Sequence, residues 1–270
     1  MFSFAINHMS APKASFTELL ALAQHCGCTG VELRNDLATT PIVDGISVKS
    51  LAKSNAIRIE ALAELTAFNQ FSEKTRQSAQ VLCAQASRCG ANGIVLIPAN
   101  DGSNPDLATR KSQLQKAFSE LLPMLEEHNL CAFVEPLGFQ SSTLRFKSDV
   151  VEQIDAMNLG SRVKLVHDTF HHHLAGEESC FAAYTGVVHV SGVVDKNLNR
   201  AQMQDCHRVL VNEQDQLNTI DQLSALVADG YQGPISMEVF APCVHELPDL
   251  AKQLRDSYDF INSGLAAMVA

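Results

Sequence analysis

Short apolar, β-branched runs alternate with longer stretches of helical period along these 270 residues, and the pair recurs about eight times. Parallel βαβ architecture requires this alternation. Strands are read in FSFAINH near Phe2, GVELR at Gly30, IRIEALAEL after Ala56 and GIVLIPA at Gly93. Four more lie in LCAFVEPL at Leu130, VKLVHD after Arg162, VVHVSG after Gly186 and PISMEVF after Gly233. Between them, Ser15 to His25, Glu73 to Cys89, Leu107 to His128 and Leu247 to Ile261 repeat apolar residues every three or four positions, as helices coating a sheet do. Gly90 and Gly230 follow helix ends, where a cap with positive φ is needed.

The length suits one (β/α)8 barrel of roughly 250 residues. No low-complexity tract, charge block or Pro-rich linker marks a boundary, so residues 1–270 are expected to form a single parallel (β/α)8 TIM barrel of the α/β class. A hydrophobic share of 46% with 19% charged residues is that of a soluble globular chain with a packed interior. The doubly wound open sheet shares the alternation, but INHMSAPKAS after the first strand lacks its glycine-rich nucleotide turn. The longest stretch between strands, Val193 to Gln232, is rich in Asp, Asn and Gln and is expected to be a functional loop at the barrel mouth.

A net charge of −10 repels nucleic-acid phosphates and anionic lipid, although an arginine or a metal can reverse the field inside a pocket. No apolar run reaches the ~18 to 20 residues that would cross a bilayer. The eight cysteines sit mostly in apolar stretches with no secretory signal before them, and Cys26 and Cys28 are too close for a zinc knuckle. Reduced thiols and a cytoplasmic location are the expectation.

Active sites of such barrels lie at the carboxyl ends of the strands. Glu135 closes AFVEP, Asp168 closes KLVHD, His189 sits in VVHVSG and Glu238 in ISMEVF. Each alone has a structural reading: a loop cap, a helix cap, a satisfied core histidine, a partner for a buried arginine. Four ionisable groups at neighbouring strand ends are costly without a shared purpose. A divalent cation would relieve three converging carboxylates, and the oxygen-rich set with one nitrogen suits Mn2+, Mg2+, Co2+ or Zn2+ alike. His8 and Arg34 end the first two strands; His8 would line the mouth, while Arg34 is left open between the mouth, an ion pair and the barrel bottom. Asn100 and Asp101 could meet a polyol or make a turn, and His172 and His173 could edge a polar loop.

DTFHHHLAG, Asp168 to Gly176, is the most specific string. With VEPLGF, VHVSG and SMEVF, it strongly resembles the xylose-isomerase-like sugar isomerase and epimerase family, over essentially the whole chain from INHMS to HELPDL. That family includes ketose 3-epimerases, hydroxypyruvate isomerase and inosose isomerases. The resemblance implies that Glu135, Asp168, His189 and Glu238 bind one divalent metal and that His171 meets the substrate beside it. Arg208, in DCHRVLV, would hold a substrate oxygen or phosphate, and Glu135 and Glu238 would exchange a proton through an enediolate.

The activity implied is isomerisation or epimerisation of a small sugar or cyclitol ketone. The polar loop, small size and absence of Trp look most like the 2-keto-myo-inositol isomerases of inositol catabolism. Inosose dehydratases, hydroxypyruvate isomerase and ketose 3-epimerases would use almost the same residues. Two other classes share the scaffold: abasic-site endonucleases, which need more metal-binding histidines and a basic surface, and non-catalytic sugar sensors. Dimers and tetramers are common among the family's members, so a homo-oligomer is expected.

Overall fold

A computed structural model describes residues 2–37 and 45–269. Eight strands, β1 (Ser3–Asn7), β2 (Gly30–Arg34), β3 (Arg58–Thr66), β4 (Gly93–Ile97), β5 (Cys131–Val134), β6 (Val163–Asp168), β7 (Thr185–Val190) and β8 (Pro234–Met237), close into one parallel barrel in chain order. β8 pairs back onto β1, with Phe4 opposite Ile235, so the sheet has no edge and the open doubly wound alternative is excluded.

The helices among the described residues are α1 (Phe16–His25), α2 (Gly45–Ser54), α3 (Glu73–Cys89), α4 (Leu107–His128), α5 (Lys147–Ala156), α6 (Thr169–Ala175), α7 (Thr219–Ala228), α8 (Pro242–His245) and α9 (Leu250–Val269). Local chemistry sets their ends. Ser15 and Glu18 form a reciprocal capping box on α1, Ser72 accepts from Thr75 at the start of α3, and Asp106 accepts from Thr109 at the start of α4. Gly90 ends α3 at φ 76, the left-handed conformation that a side chain disfavours. None of the described helices is long and apolar enough to cross a membrane.

Strand side chains alternate between two environments, as period-two geometry demands. Ile94, Leu96, Ala132, Val134, Leu165 and Val188 join the large core between sheet and helices. Their neighbours Val95, Phe133, Val166 and Val187, with Ala61 and Ala63, form a separate cluster that fills the barrel. Phe133 is the bulky member, and two glycines make room for it. A Cβ on Gly93 or on Gly186 would stand 2.6 Å from its ring. Toward β8, β1 and β2 the lining turns polar, with Ser236, Asn7 and Glu32 wholly buried.

The long segment after β7 is ordered rather than extended. Gly192 and Val209 form an isolated antiparallel bridge, with short 3-10 turns at Arg200–Gln202 and Asp205–His207 between them. This fold-back returns Arg208 to the top of the barrel, where it is 1% exposed. All eight cysteines are free thiols, and Cys26 and Cys28 are buried in the main core.

Candidate metal centre

Glu135 follows β5, Asp168 ends β6, His189 lies one residue before the end of β7, and Glu238 follows β8. The barrel gathers these four. One donor atom from each lies within 4.8 Å of all the others, and all four residues are buried. Asp168 divides its two oxygens: Oδ1 accepts from the backbone N–H groups of Phe170 and His171, at 2.7 and 3.0 Å, and caps α6. Oδ2 faces the cluster. The capping and metal-facing readings of this residue therefore coexist in one carboxylate.

His189 decides whether a cation fits. Its Nε2 stands 3.1 Å from the carboxylate of Glu32, a residue with no exposed surface. A carboxylate accepts, so Nε2 carries a proton and, in the neutral ring, Nδ1 presents a lone pair. That lone pair faces Glu238 at 3.2 Å, Glu135 at 3.5 Å and Asp168 at 3.9 Å, yet Nδ1 has no hydrogen-bond partner. A buried nitrogen without a partner, surrounded by three anions, is the arrangement a divalent cation satisfies. The donor set of three oxygens and one nitrogen does not choose among Zn2+, Mn2+, Co2+ and Mg2+.

The protein's own charges show the same tension. Burial pushes the Glu135 carboxyl up to about 7, with the nearby Glu238 and Asp168 adding to the rise against the pull of His189. For His189, burial opposes the charged ring, but Glu238, Glu32 and Glu135 outweigh it and raise the group well above its usual range. Burial likewise opposes ionisation of Glu238, and His189, Arg208 and Arg34 together hold it well below.

Two arginines brace Glu238. Arg34 donates to Oε1 at 3.2 Å and Arg208 to Oε2 at 2.9 Å. Arg34 also holds Asp36 through two 2.8 Å bonds and Glu64 through a third, which places it at the mouth as an ion-pair residue. Arg208 donates to Asp168 at 2.5 Å and to Ser191 at 3.1 Å, with its guanidinium 4.5 Å above the ring centre of Phe240. It thus bonds the same two oxygens, Asp168 Oδ2 and Glu238 Oε2, that face Nδ1 of His189.

His171 accepts from the backbone N–H of Gly138 through Nδ1 at 3.3 Å, so its Nε2 carries the proton and points toward Glu135, 3.9 Å away. Burial lowers its pKa and keeps the ring neutral. It can therefore donate one hydrogen bond beside the cluster. His8 is buried at the start of a 3-10 turn after β1 and donates through Nε2 to Ala14, leaving Nδ1 without a partner. Asp101 is taken up by Ser103 and Gln70 and makes the turn after β4. Asn100 instead lines a cavity of about 330 Å3, with Gln140, Ser141 and Phe139 on one side and Leu174 of α6 and Arg200 and Gln204 of the segment after β7 on the other. The ring of Phe139 meets His171 edge-on at 5.1 Å, joining that cavity to the cluster.

Sequence reasoning did not find Glu32, Glu64 or Ser191. In GVELR the glutamate and arginine stand two apart, on one face of a strand, and that spacing is the signal that could have found Glu32. His172 and His173, read as a loop edge, lie instead within α6. The helix forms because Asp168 caps it and Gly176 ends it at φ 69.

No significant match is found among proteins of curated function. Among solved structures, a xylose isomerase domain containing protein from Salmonella typhimurium LT2 is 27% identical and superposes with a TM-score of 0.85 over 99% of this chain and 97% of its own. The IolI protein with a bound zinc atom is 19% identical, with a TM-score of 0.87 and 99% of each chain covered. The 3-keto-D-glucoside 4-epimerase of E. coli is 17% identical, with a TM-score of 0.74 over 97% of this chain and 100% of its own. Residues 20–263 match the sequence pattern of the xylose isomerase-like TIM barrel. That pattern runs from within α1 to within α9 on a closed barrel of eight strands, and the chain belongs to the xylose isomerase-like TIM barrel family.

Proposed function

We propose that this protein is a divalent-metal-dependent isomerase or epimerase of a small polyhydroxylated ketone, with an inosose such as 2-keto-myo-inositol as the specific candidate. The observation that carries the reading is the unpartnered Nδ1 of His189 facing the carboxylates of Glu135, Asp168 and Glu238. The likeness to barrels named for sugar epimerisation, and to one holding zinc, supports it. The polar rim of Asn100, Gln140 and Ser141 suits a ligand rich in hydroxyls.

Both reactions begin by taking a proton from a carbon beside a carbonyl. A divalent cation held by the four residues would supply Lewis acidity that stabilises the negative charge developing on oxygen. The proton itself is the work of side chains. Glu135 after β5 and Glu238 after β8 flank His189 on β7, and one abstracts the proton while the other returns it. His171 donates from Nε2 to a substrate hydroxyl. Arg34 and Arg208 hold Glu238 in place from both of its oxygens. Burial of the whole cluster excludes competing water.

Metal-reconstituted protein should exchange the α-proton of one ketone in a set of inososes, ketohexoses and hydroxypyruvate in deuterated water, read by NMR. Glu238→Gln should keep its fold and lose exchange by ~10²- to 10⁴-fold, the usual contribution of a positioned acid or base. Parent-like exchange in that variant removes Glu238 from the mechanism, and binding without exchange identifies a sensor.

A further inference from the structure

Behind β6, on the face opposite Asp168, a second group of donors converges. We propose that His167, His172 and Cys180 form a second metal site, for a borderline-soft divalent cation of the Zn2+ class, which exchanges with the ammonium of Lys147. One donor atom from each of the three residues lies within 4.8 Å of the others. No carboxylate belongs to the set, which separates its chemistry from that of the mouth.

Hydrogen bonding fixes which atoms face inward. The amide nitrogen of Gln222 donates to the carbonyls of Thr169 and Leu217, at 3.1 and 2.8 Å. Its oxygen is thereby aimed at Nε2 of His167, 3.0 Å away, and can only accept. His167 therefore carries its proton on Nε2 and offers a lone pair from Nδ1. Anchoring the outer nitrogen of a histidine so that the inner one can ligate is how metal sites orient imidazoles. Nδ1 of His172 presents a second lone pair to the same place, and the two rings stand 4.7 Å apart.

The place between them is taken by the Nζ of Lys147, 2.9 Å from His167 and 2.8 Å from His172. Lys147 is the first residue of α5 and is 4% exposed, although lysine is rarely buried without an anionic partner. Two neutral imidazole nitrogens hold this cation; the nearby Glu177 carboxylate is committed to the backbone N–H groups of Lys147 and Ser148, each at 3.0 Å. The lone pairs of both imidazoles thus already point at one cationic group, and two imidazoles with one thiolate are ligands that Zn2+ accepts.

Exchange conserves charge. The incoming cation brings two positive charges, while Lys147 Nζ and Cys180 Sγ each release one proton to solvent, leaving a neutral amine and a thiolate. A cavity of about 380 Å3, lined by His172, Cys180, Gln222 and Glu177, gives a path from the surface and room for water as the remaining ligand. The two sites are read separately: a thiolate band reports this one alone, whereas an equivalent bound without sulfur reports the mouth.

Metal-stripped full-length protein titrated with Co2+ tests it, because the mouth offers no sulfur and a thiolate-to-cobalt charge-transfer band reports only a cysteine-bearing site. Two equivalents of Co2+ should bind, with a near-ultraviolet thiolate band that Cys180→Ser abolishes while one equivalent still binds. A single bound equivalent without that band, or a band that survives Cys180→Ser, overturns the proposal. Lys147→Met removes the competing charge and should tighten the sulfur-bearing site; unchanged or weaker binding there overturns the exchange with lysine.

Discussion

Replacing Glu32 by glutamine tests whether the tautomer of His189 is imposed from behind. Glu32 is fully buried, with Nε2 of His189 at 3.1 Å from its carboxylate and the Asn7 amide at 3.5 Å. No solvent can take its place. Glutamine keeps the volume and one acceptor but removes the negative charge and adds a donor that can turn toward Nε2. Each change weakens the preference for a free lone pair on Nδ1. Losing such an outer partner typically costs 10- to 100-fold in metal affinity, or about 1.4 to 2.8 kcal/mol. Titration of metal-stripped protein with Zn2+ against a competing chelator reads that shift directly. Circular dichroism checks that the barrel is intact, and Glu32→Asp, which withdraws the carboxylate while keeping its charge, should fall between the parent and Glu32→Gln. A glutamine variant that binds within twofold of the parent refutes the argument, since the proton on Nε2 would then be held without the charge of Glu32.

Truncating Phe133 to alanine empties the barrel centre between Gly93 and Gly186, and the denaturation midpoint should fall by an amount equivalent to ~3 to 5 kcal/mol; a loss under ~1 kcal/mol would mean that the strands close over the gap. For Lys147, burial pushes the amine down to about 8 from an ordinary value of 10.5. Between those two pH values the unfolded chain binds more protons than the folded one, so metal-free protein should gain stability as pH rises through that window. The gain is roughly 3 kcal/mol relative to Lys147→Met, and parallel stability curves for the two proteins across pH 8 to 10.5 would show that the lysine is not buried as described.

The architecture was legible because it rests on periodicity. α3 and α4 begin and end at the residues where the apolar spacing starts and stops, and six of the eight strands fall within the runs read for them, while β3 runs one residue further, to Thr66, and β7 starts two residues earlier, at Thr185. The final helix was less so: α9 starts at Leu250, just past Pro248, and runs to Val269, beyond the expected stop near Ile261. The four residues of the candidate centre were readable as polar side chains ending apolar strands. Glu32 was not, because a glutamate in a short strand reads as a solvent-facing position until closure of the barrel turns that face inward. Arg34 stayed undecided because two of its partners, Glu64 and Glu238, come from separate parts of the chain that only the fold brings together. Arg208 was expected to hold a substrate oxygen or phosphate; its pairing with Asp168 and Glu238 was not legible, because it depends on the bridge between Gly192 and Val209 that folds the segment back.

The phenyl ring of Phe133, wedged among Ala61, Ala63, Val95, Val166 and Val187, makes the strand cylinder a sealed cup rather than a tube. The carboxylates, at the carboxyl ends of the strands, lie on the rim side of that plug. Under the proposed activity, a ketone would enter and its product would leave on that same side, so the two would compete for one approach.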